Sequence, residues 1–228
     1  METESNTSLT NLENSLEASV VSENLVESFG SVSEALMDSK IPDGVLQNIP
    51  FFDVLYKFGK AFLSIRDHFF AKKVLKFLFE IKEITTEERI IFLKDIETKT
   101  GQKAGEVLLM LIERLDNMEK VKIISNLFKA KVNNSITIGN FLRLSSIVDK
   151  AYIYDLKKLN SFVSTTGYYI EDVSESLYGL GLLYIVPISE IIDTINNNEP
   201  IPGVSDAKYT LTTSGRILLI NGIEYKKN

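Results

Sequence analysis

A long helical pattern in the middle of the chain is the strongest constraint on its fold. From Phe51 to about Asn160, apolar residues recur with helical spacing, and turn signals separate one helical segment from the next. Thr85 followed by Glu88 has the spacing of a capping box, which predicts the start of a helix. Short turns between helices are typical of antiparallel neighbours in a bundle. Residues 46–160 are therefore predicted to form an antiparallel helical bundle.

The preceding residues, 1–45, carry an amphipathic pattern in a polar, acidic context. Nine acidic residues and one lysine lie within residues 1–50. Large apolar residues recur mostly three or four positions apart, which fits an amphipathic helix interrupted near Gly30. Because Ser and Asn weaken helix propensity, we expect an acidic, partly disordered arm. Its apolar stripe either docks on the protein's own bundle or binds a partner. The candidate partner-binding residues are Leu9, Leu12, Leu16, Leu25 and Phe29.

The pattern changes after Asn160. A short helix is predicted from about Glu171 to Tyr178, and the apolar stretch GLLYIVP that follows it is typical of a strand. A polar loop, NNNEPIPGVSDAK, leads to a second predicted strand, YTLTT, and to the closing apolar run GRILLINGI. Residues 161–228 are therefore predicted to be a small α+β module that is winged-helix-like, and the whole chain is predicted to be mainly α.

Charge is distributed unevenly along the chain. Residues 51–160 hold 20 basic and 14 acidic residues, whereas residues 161–228 hold eight acidic and four basic residues. A winged helix that reads DNA presents basic and amide side chains to phosphates and base edges. The predicted short helix instead offers Glu171, Asp172 and Glu175, which would repel phosphate. The charge of the module therefore argues against nucleic acid and favours a polypeptide partner.

Lysines and phenylalanines are interspersed in the first part of the predicted bundle. The candidate residues for contact with an anionic surface are Lys57, Lys60, Lys72, Lys73 and Lys76. At about 100° per residue these cations scatter around a helix and do not form one stripe. Lysine stems that lie over an apolar core would explain the mixture without any ligand. The mixture of cations and rings nevertheless leaves a membrane surface as a second candidate partner, after a protein.

Residue types needed for several kinds of catalytic and metal site are scarce. The chain has no cysteine, which excludes disulfides, thiolate metal sites and cysteine nucleophiles. Its one histidine, His68, follows Asp67 and is interpreted either as a general base or as a partly buried residue bonded to backbone. No nucleophile that could act with His68 is identifiable. We therefore expect no catalytic residue, no metal site and no cofactor.

Two parts of the chain resemble known families. The residues Gly181-Leu182-Leu183 and, further on, Tyr209-x-Leu211-Thr212-x-x-Gly215 resemble the C-terminal part of bacterial abortive-infection alpha proteins, a family linked to phage resistance. The middle of the chain, with Phe77-Leu78 and Thr86-Glu87-Glu88-Arg89, is similar to tellurite-resistance TerB-like helical domains. The first resemblance covers about 50 residues and the second about 100. The first implies a role in phage defence, and neither assigns a functional residue.

Together these patterns predict a non-enzymatic interaction protein of a bacterial phage-defence system. It would act by protein–protein contact through the acidic arm and the C-terminal module. One alternative is a membrane-surface effector that uses the Lys/Phe-rich helix, and another is a winged-helix regulator that binds nucleic acid. The N-terminal stretch METESNTSLT lacks the pattern of a secretory signal, and no apolar run approaches about 18 residues. We therefore expect a cytoplasmic protein, either free or peripheral to a membrane.

Overall fold

Helices form most of the structure, as the central sequence pattern predicts. The computed structural model describes residues 2–30, 48–57, 65–164, 167, 169–170, 172–186 and 208–223. Within these residues it contains eleven α-helices, one 3₁₀ helix and one two-stranded antiparallel sheet. The protein is therefore mainly α with a small α+β part at its C-terminal end, which confirms the predicted fold class.

The chain divides into two compact units, and the first, unit 1, comprises residues 1–141. Its described elements are α1 (Glu2–Val20), α2 (Leu25–Phe29), α3 (Pro50–Lys57), α4 (Ile65–Ile81), α5 (Thr86–Thr100), α6 (Ala104–Arg114), α7 (Met118–Val132) and the first residues of α8 (Ile138–Lys150). Helix α4 packs against α6 and α7, and α5 packs against the same two helices. These contacts bring helices that are distant in sequence into one core.

The start of α5 shows how local sequence sets a helix end. The backbone N–H of Glu88 donates to Thr85 Oγ1 at 3.3 Å, and the backbone N–H of Thr85 donates to Glu88 Oε2 at 3.1 Å. These two bonds form the predicted capping box and satisfy donors that the first turn leaves free. The position of the helix is therefore readable from Thr85 and Glu88 alone.

Phenylalanine rings form the centre of unit 1. Phe92 stacks on Phe128 with a centroid separation of 3.7 Å, and Phe77 and Phe141 meet this pair edge to face. All four side chains are fully or almost fully buried. Burial of each such ring stabilises the fold by roughly 1.5–3 kcal/mol relative to exposure. These rings join α4, α5, α7 and α8.

The predicted N-terminal arm is part of unit 1 and does not stand apart from it. Helix α1 packs against α3 and α6. A Cβ at Gly105 of α6 would lie 2.3 Å from the backbone oxygen of Glu13, so only glycine permits this close approach. The N–H of Phe51, at the start of α3, donates to Ser19 Oγ of α1 at 2.9 Å. In the described part of the arm, residues 2–30, the buried apolar side chains are therefore covered by the protein's own helices.

The second compact unit, unit 2, comprises residues 142–228. Its described elements are the rest of α8, α9 (Ile153–Lys158), a 3₁₀ helix (Leu159–Phe162), α10 (Val173–Gly179), β1 (Leu183–Ile185), β2 (Tyr209–Leu211) and α11 (Thr213–Asn221). Helix α9 packs against α10 and against the 3₁₀ helix, which in turn contacts β2. Residues 142–160 are thus part of unit 2, whereas the sequence predicts a boundary at residue 160.

The sheet of unit 2 joins the two predicted strands. Strands β1 and β2 pair antiparallel, with Leu183 opposite Leu211 and Tyr184 opposite Thr210. The buried hydroxyl of Thr210 donates to the backbone oxygen of Ser164 at 2.8 Å. The segment between the strands falls in residues 187–207, which lie outside the described residues, as do residues 31–45 of the predicted arm.

The closing run after β2 forms helix α11. Thr212 is its N-cap, and Thr212 Oγ1 accepts from the N–H of Gly215 at 3.0 Å while donating to the backbone oxygen of Gly181 at 2.8 Å. A Cβ at Gly215 would lie 2.2 Å from the backbone oxygen of Leu182. The Leu-Thr-x-x-Gly spacing is therefore a helix cap placed in close contact with the start of β1.

Candidate protein-interaction surface

Exposed aromatic side chains are concentrated in unit 2. Among the described residues of this unit, the exposed tyrosines are Tyr152, Tyr154, Tyr169, Tyr178 and Tyr184. In the described part of the larger unit 1, the exposed large apolar side chains are Val26, Phe69, Ile91 and Met110, none of them a tyrosine. Tyrosine is enriched in protein interfaces because its ring supplies contact area while its hydroxyl keeps a polar partner. The exposed tyrosines therefore make unit 2 the candidate interaction surface.

Three tyrosine rings of unit 2 contact one another around Tyr209 in β2. The centroid of the Tyr209 ring lies 5.7 Å from that of Tyr178 at an interplanar angle of 63°. The ring of Tyr169 lies 6.4 Å from Tyr209 at an angle of 29°. Tyr209 is buried, whereas Tyr178 is 48% exposed and Tyr169 is 41% exposed. We call these three residues the tyrosine cluster, which has a buried centre and exposed outer rings.

Helix α10 carries the exposed edge of this cluster. Ser174 and Leu177 are buried on its inner side, and Ser176 Oγ donates to Asp155 Oδ2 of α9 at 2.6 Å. Because residues three apart share one side of a helix, Glu175 and Tyr178 lie together on the outer side. The packing of Ser174 and Leu177 therefore fixes which side chains α10 presents to solvent.

The phenol of Tyr209 is electrostatically coupled to its neighbours. Burial raises the pKa of Tyr209 above its ordinary value, and the Glu175 carboxylate and Tyr178 raise the pKa further. A carboxylate has this effect because it disfavours a second negative charge close by. Glu175 therefore lies within electrostatic reach of the tyrosine cluster, and Tyr209 stays protonated at neutral pH.

A second pair of exposed tyrosines lies on α9 and the residue before it. The ring centroids of Tyr152 and Tyr154 are 5.1 Å apart. The ammonium of Lys157 lies 5.4 Å from the centroid of Tyr154, which is within the range of a cation–π contact. An exposed tyrosine of unit 2 thus already binds a cation from its own chain.

The predicted partner-binding residues of the arm are inside unit 1. Leu12, Leu16, Leu25 and Phe29 are all buried, and the ring of Phe29 meets Phe79 of α4 edge to face at 5.3 Å. Leu9 lies in α1, and its side chain is outside the described residues. The protein's own helices cover these four residues within unit 1, and their binding to a partner stays a prediction.

Two of the predicted anionic-surface lysines make contacts within unit 1. The ammonium of Lys73 donates to the backbone oxygen of Leu115 at 2.7 Å. Lys76 is only 8% exposed, and its ammonium lies 3.9 Å from Glu80 Oε1. The structure therefore places Lys76 inside unit 1, and its contact with an anionic surface stays a prediction.

The other three lysines of that prediction are scattered. Lys57 is exposed on α3 and forms an ion pair with Asp53 at 2.7 Å. Lys72 is half-buried on α4, and Lys60 lies outside the described residues. With Lys76 buried and Lys73 bonded to backbone, the four lysines that the structure describes form no shared basic face.

The single histidine is exposed on α4 and not partly buried. His68 contacts the ring of Phe69, with centroids 6.4 Å apart. Among the described residues, no three His, Cys, Asp or Glu side chains are grouped so that they could hold a metal ion. No helix in the described ranges combines the length and apolar character needed to cross a membrane.

The sequence contains a signal for the exposed tyrosines that periodicity does not reveal. Eight of the nine tyrosines lie in residues 142–228, whereas twelve of the thirteen phenylalanines lie in residues 1–141. Phenylalanine has no polar atom and is stabilised by full burial, whereas tyrosine can keep its hydroxyl hydrated. The segregation of the two residue types along the chain could therefore have indicated which unit presents aromatic surface.

The comparisons with known proteins add no relative. No family model, curated protein or solved structure matches the chain. The resemblances to abortive-infection alpha proteins and to TerB-like domains stay predictions.

Proposed function

We propose that the protein is a non-enzymatic, cytoplasmic interaction protein that binds a protein partner through the exposed tyrosines of unit 2. The observation that carries this proposal is the exposure of Tyr152, Tyr154, Tyr169, Tyr178 and Tyr184 in one small unit. Rigid aromatic side chains that are already exposed bury large areas on binding and lose little conformational entropy. The burial of the arm residues moves the proposed contact from the arm to unit 2.

A protein partner fits this surface better than a nucleic acid. The outer side of α10 carries carboxylates, and contacts with phosphate require cations. Residues 161–228 hold eight acidic and four basic residues, and this charge favours a polypeptide partner. The resemblance of residues around Tyr209-x-Leu211-Thr212 to abortive-infection alpha proteins supports a role in bacterial phage defence.

The membrane-surface alternative has less support. It depends on the Lys/Phe-rich helix, and in that helix Lys76 is buried and Lys73 is bonded to the backbone. Phe69 is the one exposed phenylalanine among the described residues of α4. A single exposed ring beside scattered cations offers little of the apolar area that interfacial binding requires.

Site-specific photo-crosslinking tests the proposal. A benzophenone amino acid replaces Tyr178 in unit 2 or, as the matched control, Ile91 on α5 of unit 1, which is similarly exposed. We expect the Tyr178 position to give one discrete crosslinked protein in cells and the Ile91 position to give none. The purified crosslinked protein should then bind wild type more tightly than a Tyr154→Ser, Tyr178→Ser variant. Equal crosslinking at both positions, or equal binding to both proteins, would contradict the proposal.

A further inference from the structure

The outer side of α10 combines two acidic residues with an aromatic ring. Asp172, Glu175 and Tyr178 are all exposed and follow one another at intervals of three residues. This spacing places Glu175 and Tyr178 on one side of the helix, with Asp172 at its N-terminal end. We call these three residues the acidic stripe.

The carboxylates of the acidic stripe differ from several others in the protein because they form no ion pair with a described residue. In unit 1, Asp116 lies 2.8 Å from the ammonium of Lys120, and Asp95 lies 2.7 Å from that of Lys131. Asp172 and Glu175 make no ion pair with another residue that the structure describes. Two exposed carboxylates that form no such ion pair leave a negative potential on this side of α10.

The acidic stripe borders the tyrosine cluster. Tyr178 belongs to both, and its ring contacts Tyr209. Glu175 and Tyr178 are both exposed and lie three residues apart on α10, so this carboxylate borders the rings. A tyrosine ring attracts cations to its face, and the contact of Lys157 with Tyr154 shows this attraction within unit 2. Rings and carboxylates therefore favour the same kind of ligand.

We propose that the acidic stripe and the tyrosine cluster bind an arginine-rich segment of a protein partner. This inference rests on the proposed function and names the chemistry of the partner. The flat face of a guanidinium stacks on an aromatic ring, while its N–H groups donate to a carboxylate that lies in the guanidinium plane. One arginine can therefore contact Tyr178 and Glu175 together. A second arginine would contact Asp172. Complementary charge gives specificity and faster association, which falls as salt rises.

The test measures binding of a short fluorescent peptide of alternating arginine and serine to the full-length protein by fluorescence anisotropy. The same peptide with glutamate in place of arginine is the comparison ligand. The test variant is Asp172→Asn, Glu175→Gln, which keeps side-chain shape and leaves at residue 172 (φ 61°) an asparagine that adopts positive φ readily. The control variant is Glu23→Gln, Glu27→Gln, which removes two exposed charges from unit 1.

We expect the arginine peptide to bind and the glutamate peptide not to bind. The Asp172→Asn, Glu175→Gln variant should weaken arginine-peptide binding about fivefold at low salt, whereas the control should change it less than twofold. Tyr178→Leu should weaken it about two- to fivefold, and Tyr178→Phe should retain it because the phenyl ring keeps its face. Equal binding of both peptides, or equal weakening by both charge variants, would overturn the inference.

The outcomes separate this inference from the proposed function. If the partner crosslinks at Tyr178 but its binding is indifferent to Asp172→Asn, Glu175→Gln, then unit 2 binds a partner that is not recognised by charge, and this inference fails alone. If the Tyr178 position gives no crosslink that the Ile91 position lacks, the proposed function fails.

Discussion

The two units of this protein use aromatic residues in opposite ways. In unit 1 the rings of Phe77, Phe92, Phe128 and Phe141 are buried against one another. Among the described residues of unit 2 five tyrosines are exposed, and of the cluster rings only Tyr209 is buried. A smaller unit buries a smaller fraction of its surface, so some large side chains stay outside. Aromatic content alone therefore does not indicate a core, because a tyrosine ring can stay at the surface with its hydroxyl hydrated.

The largest expected effect tests the difference between a buried and an exposed ring. We expect Phe128→Ala to lower the free energy of unfolding by about 3–5 kcal/mol, because it removes a fully buried ring and leaves a cavity. Tyr154→Ala should lower it by no more than about 0.5 kcal/mol, because the ring is exposed. Urea unfolding followed by far-ultraviolet circular dichroism measures both. Similar losses in the two variants would break the comparison.

A smaller effect tests whether close backbone packing is equally strict in both units. We expect Gly105→Ala to destabilise unit 1 and Gly215→Ala to destabilise unit 2, each by about 1–3 kcal/mol, because the added Cβ would overlap a backbone oxygen. Eight of nine tyrosines lie in residues 142–228, so tyrosine fluorescence reports mainly on unit 2. The urea midpoint measured by tyrosine fluorescence should therefore fall more in Gly215→Ala than in Gly105→Ala.

The control for the glycine pair is Gly179→Ala. An added Cβ at Gly179 would meet no atom within 4 Å. We therefore expect this variant to leave the free energy of unfolding of each unit unchanged within about 0.5 kcal/mol. A loss as large as that of Gly215→Ala would show that any glycine replacement in unit 2 is harmful, whatever its contacts.

The smallest expected effect is a pH dependence confined to unit 2. The pKa of Tyr209 is raised by burial and by Glu175 and Tyr178, so the folded state holds this proton more tightly than the unfolded state. The stability of unit 2 should therefore be unaffected below about pH 10, the ordinary tyrosine pKa, and should fall above it. Tyr209→Phe should lack this fall. Absorbance titration of tyrosinate checks the cause, because wild type should contain one late-ionising tyrosine that Tyr209→Phe lacks.

Much of the secondary structure could be predicted because it depends on neighbours in sequence. The spacing of Thr85 and Glu88 is enough to predict the capping box and the start of the helix that follows it. The mainly α fold and the two strands around Tyr184 and Tyr209 followed from apolar spacing. The closing run GRILLINGI shows the limit, because apolar spacing does not reveal that Thr212 caps it as a helix and bonds to the backbone of Gly181, 31 residues earlier.

The candidate surface could not be predicted from periodicity. An amphipathic stripe such as that of Leu12, Leu16 and Leu25 looks the same whether it covers the protein's own helices or a partner. Nor does spacing show that Lys76 is buried and Lys57 exposed, since burial depends on which distant helix packs alongside. Which candidate residues are exposed could therefore be learned only from the tertiary contacts.

The amino-acid sequence by itself determined the helical class of this protein, the start of α5 at its Thr85 cap and the segregation of phenylalanine from tyrosine. Tertiary structure alone decided that the acidic arm belongs to unit 1 and that the outer side of α10 presents Glu175 beside Tyr178. The physical reason is that helix formation depends on residues within a turn or two, whereas exposure depends on side chains far apart in the chain, as Gly105 against Glu13 shows.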